Sequence, residues 1–429
     1  MTLEVVVLLG SMLGLIVLGL PLVFSIGCSS LLTILIFHRS LPLEMVPQYI
    51  VGGTDSFALL AIPFFFLAGE IMNSAGMTER IVKFSDGLVG GIRGGLSHVN
   101  VVTNMIYAGI SGSAVADAAA IGSFMIPSMV RAGYPPGFSA AINAAAATIG
   151  PIIPPSIPMI IYGVLANVSV GQLFLSGVFP GLFMGAYLMI VAYFISVRRG
   201  YPKGKFMPFP DLVRLGVRVF LAFLSPVIIV GGILLGVFTA TESGAIAVLY
   251  SILIGFFFYR ELKPANLWEI FKGALVSTGT VLIIVGVSYL FGWIIAQSGI
   301  GGKIGEIILS ISRNPDVVLL ELMIFFFIVG MFMDPLAGLI IFVPIFLPIV
   351  TSLGVHPVHF GLITVLNLMI GLLTPPVGYL LYITSAISGE KVEVVIRECI
   401  PFIVALILVL LICVYWPGMV MLLPNFLGR

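Results

Sequence analysis

The chain has 429 residues, of which 60% are hydrophobic and only 9% are charged. Because a soluble domain carries about 25% charged residues, this composition excludes a soluble globular protein and indicates an integral membrane protein. The net charge of +1 excludes a basic surface for nucleic acid. The three cysteines, Cys28, Cys399 and Cys413, lack the spacing of metal ligands and are expected to be small core or lipid-facing residues.

Three long stretches contain no Asp, Glu, Lys or Arg: residues 133–197, 335–389 and 401–428. A membrane crossing needs roughly 20 apolar residues, so each stretch has room for at least one crossing. The first apolar segment, residues 5–37, lacks the basic start and the small-residue cleavage site of a signal peptide. We therefore expect it to be retained as membrane helix.

The hydrophobic pattern predicts the same succession of elements in two units, residues 1–198 and 219–429. Each unit begins with two crossings, a charged amphipathic linker in the membrane interface and a further crossing. An interrupted segment, a proline-broken helix and a final long span follow. In the first unit these elements cover residues 5–37, 38–55, 56–75, 92–130, 134–169 and 173–197. In the second unit they cover residues 219–259, 260–275, 276–299, 316–350, 357–388 and 400–424.

The motif Gly-x-x-x-Pro-Pro relates the two units. It occurs at residues 150–155, the first break, and recurs 221 positions later at residues 371–376, the second break. Apolar sequences match by chance at Leu, Ile and Val, but co-aligned prolines and glycines indicate duplication. At the same offset, Pro127, Gly133, Pro136 and Pro180 match Pro348, Gly354, Pro357 and Pro401.

The loop between the units, residues 199–218, is the most basic in the chain. It contains Arg199, Lys203, Lys205, Arg214 and Arg218. The positive-inside rule places this loop in the cytoplasm. The equivalent end of the second unit, residues 422–429, has a single basic residue. This asymmetry favours inverted repeats, each with an odd number of crossings.

Small residues dominate the interrupted segments, around Gly109, Gly112 and Ser113 in one unit and around Gly330 and Gly338 in the other. Such a segment suits a re-entrant hairpin that enters and leaves the membrane on the same side. The alternative is an ordinary crossing whose small residues allow close helix packing.

The adjacent prolines predict that the helices are interrupted at both breaks, because proline lacks an N–H and clashes with the preceding turn. In a bilayer the freed backbone groups must be satisfied by protein, by a cavity or by a bound ion. A matched pair of discontinuous helices points to the substrate and ion site of a secondary transporter.

Two acids, Asp117 and Asp334, lie in the interrupted segments. A carboxylate at bilayer depth is costly and usually serves ions or protons. Hard cations are bound by carboxylate, hydroxyl and carbonyl oxygens. One candidate sodium site therefore combines Ser111, Ser113 and Asp117 with the first break, and the other combines Asp334 with the second break, including Thr374. Each acid could also cap the following helix, and proton coupling is the rival to sodium.

Three further acids, Glu70, Glu242 and Glu321, lie in apolar surroundings and are open to a structural or a functional role. Glu70 aligns with Trp293 in the second unit. The four histidines, His38, His98, His356 and His359, fall near the predicted ends of spans and are expected to be interfacial.

No Ser/His/Asp set, phosphate loop or nucleotide fingerprint occurs, so we expect no enzyme and no organic cofactor. The alternative from another class is an intramembrane aspartyl enzyme. Neither Asp117 nor Asp334 has a second acid nearby in sequence to form a dyad.

Residues 109–117, Gly-Ile-Ser-Gly-Ser-Ala-Val-Ala-Asp, together with the two breaks, resemble the large membrane subunit of TRAP (tripartite ATP-independent periplasmic) transporters. The resemblance covers essentially the whole chain. It implies an all-α integral membrane protein of two inverted repeats, with re-entrant helical hairpins and discontinuous helices. Hairpins and broken helices would form a transport domain that moves like an elevator against a scaffold of the remaining helices.

The family resemblance implies a multi-pass protein of the bacterial inner membrane that imports organic acids with two or more sodium ions. Substrates would be of the sialic acid or C4-dicarboxylate class, and general likeness leans towards sialic acid. The implied partners are a periplasmic substrate-binding protein and a small four-helix membrane subunit. Because the chain begins at the large-subunit region, we expect the small subunit to be a separate polypeptide. A self-sufficient sodium- or proton-coupled carrier or antiporter is the alternative.

The family's sodium ligands carry over to two sets of residues here. The first set is Ser111, Asp117, Gly150, Ile153 and Pro155, and the second is Gly330, Asp334, Gly371 and Thr374. The substrate is expected between the two loop tips, with Ser111, Ser156, Asp117 and Thr374 as candidate contacts.

Overall fold

The computed structural model describes residues 3–39, 41–204 and 206–427. Within these ranges the regular structure is helical, apart from one isolated bridge between Arg93 and Lys203. By length and composition, seven of the described helices could cross a membrane, and one bent pair would make an eighth. The prediction of an all-α membrane protein is confirmed. Ser40 of the predicted linker, Lys205 of the basic loop and the outermost residues 1–2 and 428–429 of the two units lie outside the described residues.

The helices of the first unit are α1 (Leu3–Val17), α2 (Leu22–Phe37), α3 (Met45–Thr54), α4 (Ala61–Ser74), α5 (Met77–Val89), α6 (Gly95–Ser111), α7 (Ala114–Arg131), α8 (Pro136–Ala147), α9 (Ile157–Ala166) and α10 (Val170–Arg199). Those of the second are α11 (Phe209–Leu234), α12 (Ala240–Leu253), α13 (Leu267–Gln297), α14 (Ile300–Ile311), α15 (Pro315–Phe332), α16 (Pro335–Ser352), α17 (Pro357–Gly371), α18 (Tyr379–Ser388), α19 (Val392–Tyr415) and α20 (Pro417–Leu427). Short 3-10 turns at Phe57–Leu60 and Pro264–Asn266 and a π-helix at Ile254–Phe258 complete the set.

The two units repeat the same order of helices, with two differences. In the first unit the linker and the next crossing are separate helices, α3 and α4, whereas in the second they form one continuous helix, α13. The last span is continuous in α10 but is divided between α19 and α20 at Trp416–Pro417. The connecting helices α5 and α14 are absent from the sequence-based prediction. In α5, charged residues such as Glu79 and Lys83 interrupt the apolar pattern.

Both interrupted segments fold as helical hairpins. In the first, α6 ends at Gly112, whose φ of +63° lies in the left-handed region that favours glycine. Ser113 then caps α7 by accepting a hydrogen bond from the Ala116 amide. In the second, α15 ends at Met333, and Asp334 caps α16 with Pro335 at its first position.

Helices of each unit pack against helices of the other unit at the centre of the protein. α7 and α15, each an arm of a hairpin, pack on the broken helices of their own units, α8 and α17. After the breaks, α9 crosses to α16 of the second unit, and α18 crosses to α7 of the first. This reciprocal arrangement packs the hairpins and the broken helices together as one central group. The inverted orientation of the units and the boundaries of the transport and scaffold domains remain predictions.

The outer helices surround this central group. The long helix α13 packs against α2, α3 and α4, and α4 packs against α12. On the basic loop side, Arg199 at the end of α10 donates a 2.7 Å hydrogen bond to Glu398 of α19. It also donates to the Tyr201 hydroxyl at 3.2 Å. These contacts fix the exit of the first unit against the last long helix of the second.

The interfacial position of the four histidines stays a prediction, and two of them are buried within the protein. His98 and His359 are only 3% and 2% exposed, because α6 and α17 are central helices. The His359 ring lies 2.8 Å from the Cys413 carbonyl oxygen of α19. The expectation for the cysteines is confirmed, since Cys28 is exposed and Cys399 and Cys413 are buried.

Candidate ion sites at the two helix breaks

The first break separates α8, which ends at Ala147, from α9, which begins at Ile157. Because three prolines lie between these helices, the backbone there cannot form a continuous hydrogen-bond ladder. The hydroxyl of Ser156 donates to the Pro151 carbonyl at 2.5 Å and accepts from the Met159 amide at 3.2 Å. Ser156 is fully buried and acts as the N-cap of α9. Its hydroxyl therefore already serves the backbone of the break.

Asp117 is the central group of the first site. It lies on the first turn of α7, has no exposed area and accepts a hydrogen bond from the Ser111 hydroxyl. Its second oxygen, Oδ2, accepts no hydrogen bond from any described residue. The N-terminal turn of a helix favours a negative charge, but only to a limited extent. Since Ser113 is the N-cap of α7, the alternative that Asp117 caps this helix is wrong.

Gly150 brings the first break into contact with this carboxylate. A Cβ atom at position 150 would collide with Oδ2 of Asp117, so glycine is required for the close approach. The hairpin tip meets the break a few residues later. The Ile157 amide donates to the Gly112 carbonyl at 3.5 Å, and a Cβ at Gly112 would lie 2.6 Å from the Pro155 carbonyl oxygen.

The remaining member of the first set, Ile153, points towards α10. A Cβ at Gly181 of α10 would collide with the Ile153 side chain. The structure thus brings Ser111, Asp117 and Gly150 into direct contact. Pro155 reaches the same hairpin tip through its carbonyl oxygen, and Ile153 could contribute only its backbone.

At the second break the hairpin and the broken helix are also in backbone contact, but the acid, Asp334, is more exposed than Asp117. Gly330 of α15 and Gly371 of α17 are packed so closely that a Cβ at Gly371 would lie 2.5 Å from Cα of Gly330. The Val377 amide donates to the Met331 carbonyl at 3.3 Å. Hairpin and broken helix are therefore joined in this unit as well.

Asp334 is exposed, in contrast to Asp117, and its Oδ1 accepts from the Leu336 amide at 2.9 Å. The predicted capping role of Asp334 is confirmed. It lines a cavity of about 130 Å³ together with Gly330 and residues that follow the second break. Thr374 donates its hydroxyl hydrogen to the Ile370 carbonyl at 3.1 Å and does not line this cavity. The structure brings Gly330 and Gly371 together with Asp334 nearby, but gives no contact between Asp334 and Thr374.

The two acids are not equivalent positions of the repeat. At the offset of 221 residues, Asp334 corresponds to Ser113, and both cap the second arm of their hairpin. Asp117 corresponds to Gly338, which packs against Leu368 of α17. One unit therefore places its carboxylate inside the hairpin and the other at the tip.

A chain of buried asparagines supports the first site and was not identified from the sequence. The Asn143 amide group donates to the Ala118 carbonyl at 3.0 Å, joining α8 to α7 next to Asp117. Asn100 donates to Asn143 Oδ1 at 3.2 Å, and Asn104 donates to Asn100 Oδ1 at 2.8 Å. The sequence did contain a signal for this chain, because amide side chains within apolar helices usually form hydrogen bonds to neighbouring helices.

Comparison with known proteins shows to which family this chain belongs. Residues 9–419 match the model of the tripartite ATP-independent periplasmic transporter, DctM component. The chain belongs to this family. As a TRAP large permease it is a multi-pass protein of the bacterial inner membrane and a component of a transporter, not an enzyme.

Relatives within the TRAP family carry different substrate names. The sialic acid TRAP transporter large permease SiaM of Vibrio cholerae is 42% identical, with 97% of each chain covered. The C4-dicarboxylate TRAP transporter large permease DctM of Pseudomonas aeruginosa is 38% identical, with 94% of each chain covered. Among solved structures, the YdaH transporter of Alcanivorax borkumensis matches with a TM-score of 0.62 at 14% identity, over 88% of this chain and 89% of that one. At this identity the match shows a shared fold.

Proposed function

We propose that this TRAP large permease imports an organic acid with sodium ions, one of which binds at Asp117. The observation that carries the proposal is the fully buried Asp117, whose Oδ2 lacks a hydrogen-bond donor among the described residues and faces Gly150. A buried carboxylate is costly unless a charge or hydrogen bonds compensate it. Sodium, bound by Asp117, Ser111 and backbone oxygens of the first break, would supply that charge.

A second sodium ion is proposed at the second break, with Asp334 as the charged ligand. Support comes from the Gly330–Gly371 contact, which places the backbone of both elements within reach of the same cavity. Thr374 donates its hydroxyl hydrogen to Ile370 and keeps its oxygen lone pairs for a cation, but it does not line the cavity beside Asp334. We therefore expect the two sites to have unequal affinities.

The substrate is proposed to be a carboxylate of the sialic acid or C4-dicarboxylate class, which are the substrates in the names of the two relatives. Greater identity to the sialic acid permease favours the first. The proposed contacts are Ser111 and Thr374 near the hairpin tips, with bound sodium at Asp117 neutralising the carboxylate of the substrate. Ser156 would act by shaping the break, because its hydroxyl is already bonded on both sides.

The proposed motion is an elevator movement of the central group. The crossed contacts of α9 with α16 and of α18 with α7 join both hairpins and both breaks into one body. Cavities lie between parts of this body and the outer helices on two sides. One, of about 450 Å³, lies between α13 and the pair α9 and α16, and the other, of about 290 Å³, lies between α4 and the first hairpin.

The proposed partners are a periplasmic binding protein that delivers the substrate and a small four-helix membrane subunit. The tripartite description of the family supports two further components. The small subunit would contact the outer helices, where large apolar side chains such as Phe257, Trp268 and Phe271 are exposed.

Uptake into proteoliposomes tests this function. The reconstituted permease and small subunit should accumulate labelled sialic acid or succinate only with an inward sodium gradient and the binding protein. Full-rate uptake without the binding protein would support the self-sufficient carrier instead. Uptake driven by a pH gradient in sodium-free buffer would show that protons, and not sodium ions, drive transport.

A further inference from the structure

A cavity with polar and apolar walls lies between the outer helix α4 and the first hairpin. Its volume is about 290 Å³, and its polar lining comes from Glu70 and Asn73 of α4 and from Tyr107 and Ser111 of α6. The rest of its wall is apolar and includes the alanines at the start of α7. No Lys or Arg is among the described residues that line it. The cavity is therefore suited to a cation and not to an anion.

Glu70 supplies the negative charge of this cavity. Its side chain is half-buried, and no hydrogen bond or ion pair of its carboxylate is found among the described residues. Behind it, a Cβ at Gly273 of α13 would lie 3.8 Å from the Glu70 carboxyl carbon. A carboxylate between two membrane helices without a cationic partner is costly and is typically functional.

The opposite wall of the cavity leads to the first ion site. Ser111 is 5% exposed, lines the cavity and donates its hydroxyl hydrogen to Asp117. The hairpin tip is in direct contact with α4, since a Cβ at Gly69 would lie 3.7 Å from Cα of Ser111. The Ser111 hydroxyl therefore connects the wall of the cavity with the buried carboxylate.

The second unit has a related cleft in which the position of Glu70 holds no acid, although Asp55 of the first unit also lines that cleft. Gly292 and Trp293 of α13 occupy the positions that Gly69 and Glu70 have in the first unit, and both line the cavity of about 450 Å³. There an indole replaces the carboxylate. Asp334, the acid of that unit, lines a different cavity, in which it is exposed. A carboxylate at this position of the repeat thus occurs in the unit whose ion site is enclosed.

We infer that the cavity between α4 and the first hairpin is the entrance through which the cation reaches Asp117, and that Glu70 attracts the cation to it. A fixed negative charge in a low-dielectric cleft raises the local concentration of cations. Glu70 would act before binding and would not be a final ligand. The inference rests on the proposed function, because it requires a cation at Asp117.

The test compares sodium activation of uptake by the reconstituted complex with the wild-type chain and with variants. Glu70→Gln should raise the sodium concentration for half-maximal uptake about tenfold, with the maximal rate at saturating sodium kept within about twofold. Glu70→Asp should stay close to wild type. Glu269→Gln is the matched control, because it removes an exposed acid one turn from Gly273 without lining the cavity.

A compensating variant separates charge from structure. Asn73 lines the same cavity, and its Oδ1 accepts a 2.9 Å hydrogen bond from Thr78, which an aspartate would preserve. Asn73→Asp should restore half-maximal sodium in the Glu70→Gln background to within about threefold of wild type. In the wild-type background it should lower the half-maximal concentration, which tests the idea even if the Glu70→Gln chain fails to fold.

The outcomes distinguish this inference from the function on which it rests. If uptake by the wild-type chain did not depend on the sodium concentration, the proposed function itself would be contradicted. If uptake depends on sodium but the half-maximal sodium concentration is unchanged in Glu70→Gln and in Asn73→Asp, the entrance role of the cavity is wrong and the proposed function still stands. A loss of maximal rate with unchanged half-maximal sodium would show that Glu70 is structural.

Discussion

The Ser111 hydroxyl donates a hydrogen bond to the Asp117 carboxylate across the mouth of the first hairpin, and neither side chain is appreciably exposed. This bond joins the last residue of α6 to the first turn of α7. It fixes one carboxylate oxygen and leaves the other facing Gly150. The fold of the hairpin thus fixes the position of the Asp117 carboxylate relative to the first break.

Removal of this charge should abolish sodium-coupled uptake. We expect Asp117→Asn to reduce uptake about 100-fold or more, because an unpaired charge in a buried site changes binding by roughly 3 kcal/mol or more. Ser111→Ala should have a smaller effect, about a tenfold rise in half-maximal sodium, since it removes one hydrogen bond to a charged group. Uptake at graded sodium concentrations checks both.

Asp316→Asn is the control for Asp117→Asn, because Asp316 is exposed in the first turn of α15. It should leave sodium activation unchanged. If Asp117→Asn retained sodium-dependent uptake at the wild-type level, the assignment of this site would be wrong.

Gly150→Ala tests the contact between the break and the acid. The added Cβ would collide with Asp117 Oδ2, so the carboxylate would have to move away from the break. Overpacking of this kind costs about 1–3 kcal/mol, which corresponds to a rise in half-maximal sodium of roughly 5-fold to 150-fold. Gly279→Ala on α13 is the control, since no described atom lies within 4 Å of its Cβ position. Equal behaviour of the two variants would contradict the close approach.

The Asn100–Asn143 bond should couple the stability of α6 to that of α8. A double-mutant cycle with Asn100→Ala and Asn143→Ala should give a coupling of about 0.6 kcal/mol, with an upper range near 1.7 kcal/mol. Unfolding in mixed detergent micelles measures it. Asn100→Ala with Asn367→Ala is the control, because Asn367 bonds to Met323 in the other unit. That pair should be additive within about 0.5 kcal/mol, and equal coupling in both cycles would contradict a local bond.

Arg80 should contribute more stability than its ion pair alone. It lies 2.5 Å from Glu261 and 4.2 Å from the centre of the Tyr259 ring, and it donates to the Ala75 and Gly76 carbonyls at the end of α4. Glu261→Gln should cost less than about 1 kcal/mol, because exposed ion pairs contribute little. Arg80→Ala should cost about 2 kcal/mol, since it also removes the carbonyl and ring contacts.

Thermal unfolding of the purified complex checks this order. Lys83→Gln, which breaks the exposed pair of Lys83 with Glu79, is the control and should shift the midpoint least. A larger shift for Glu261→Gln than for Arg80→Ala would show that the charge pair dominates.

Much of the architecture could be predicted because single residues impose it locally. Adjacent prolines remove successive N–H donors and clash with the preceding turn, so the two breaks followed from the sequence, as did the start of α16 at Pro335. Single prolines such as Pro127 and Pro180 remain inside the helices α7 and α10. Helices α5 and α14 could not be predicted in the same way. The apolar face of α5 covers only one side of the helix, and it acquires a place by packing on α6 and α11.

The continuity of α13 also depends on its neighbours. The sequence predicts a linker and a crossing in both units, yet the second unit forms one helix over Leu267–Gln297. In the first unit Asp55 and Ser56, both with a non-helical backbone, follow α3 and separate the corresponding pieces. The equivalent stretch of α13 contains Ser277, Thr278 and Gly279, which are poor helix formers, so the packing of α2, α3 and α4 against α13 must keep the helix intact.

The sequence by itself determined that this protein spans a membrane, that it consists of two related units and that each unit contains a broken helix opposite an acid. Those properties depend on apolar length and on proline and glycine, whose effects are local. Only the tertiary structure decided that Asp117 is enclosed and Asp334 exposed. It also decided that Gly150 touches one acid and that Glu70 faces the cavity beside it. Burial and contact distance depend on how distant helices pack, and the spacing of residues along the chain does not specify that packing.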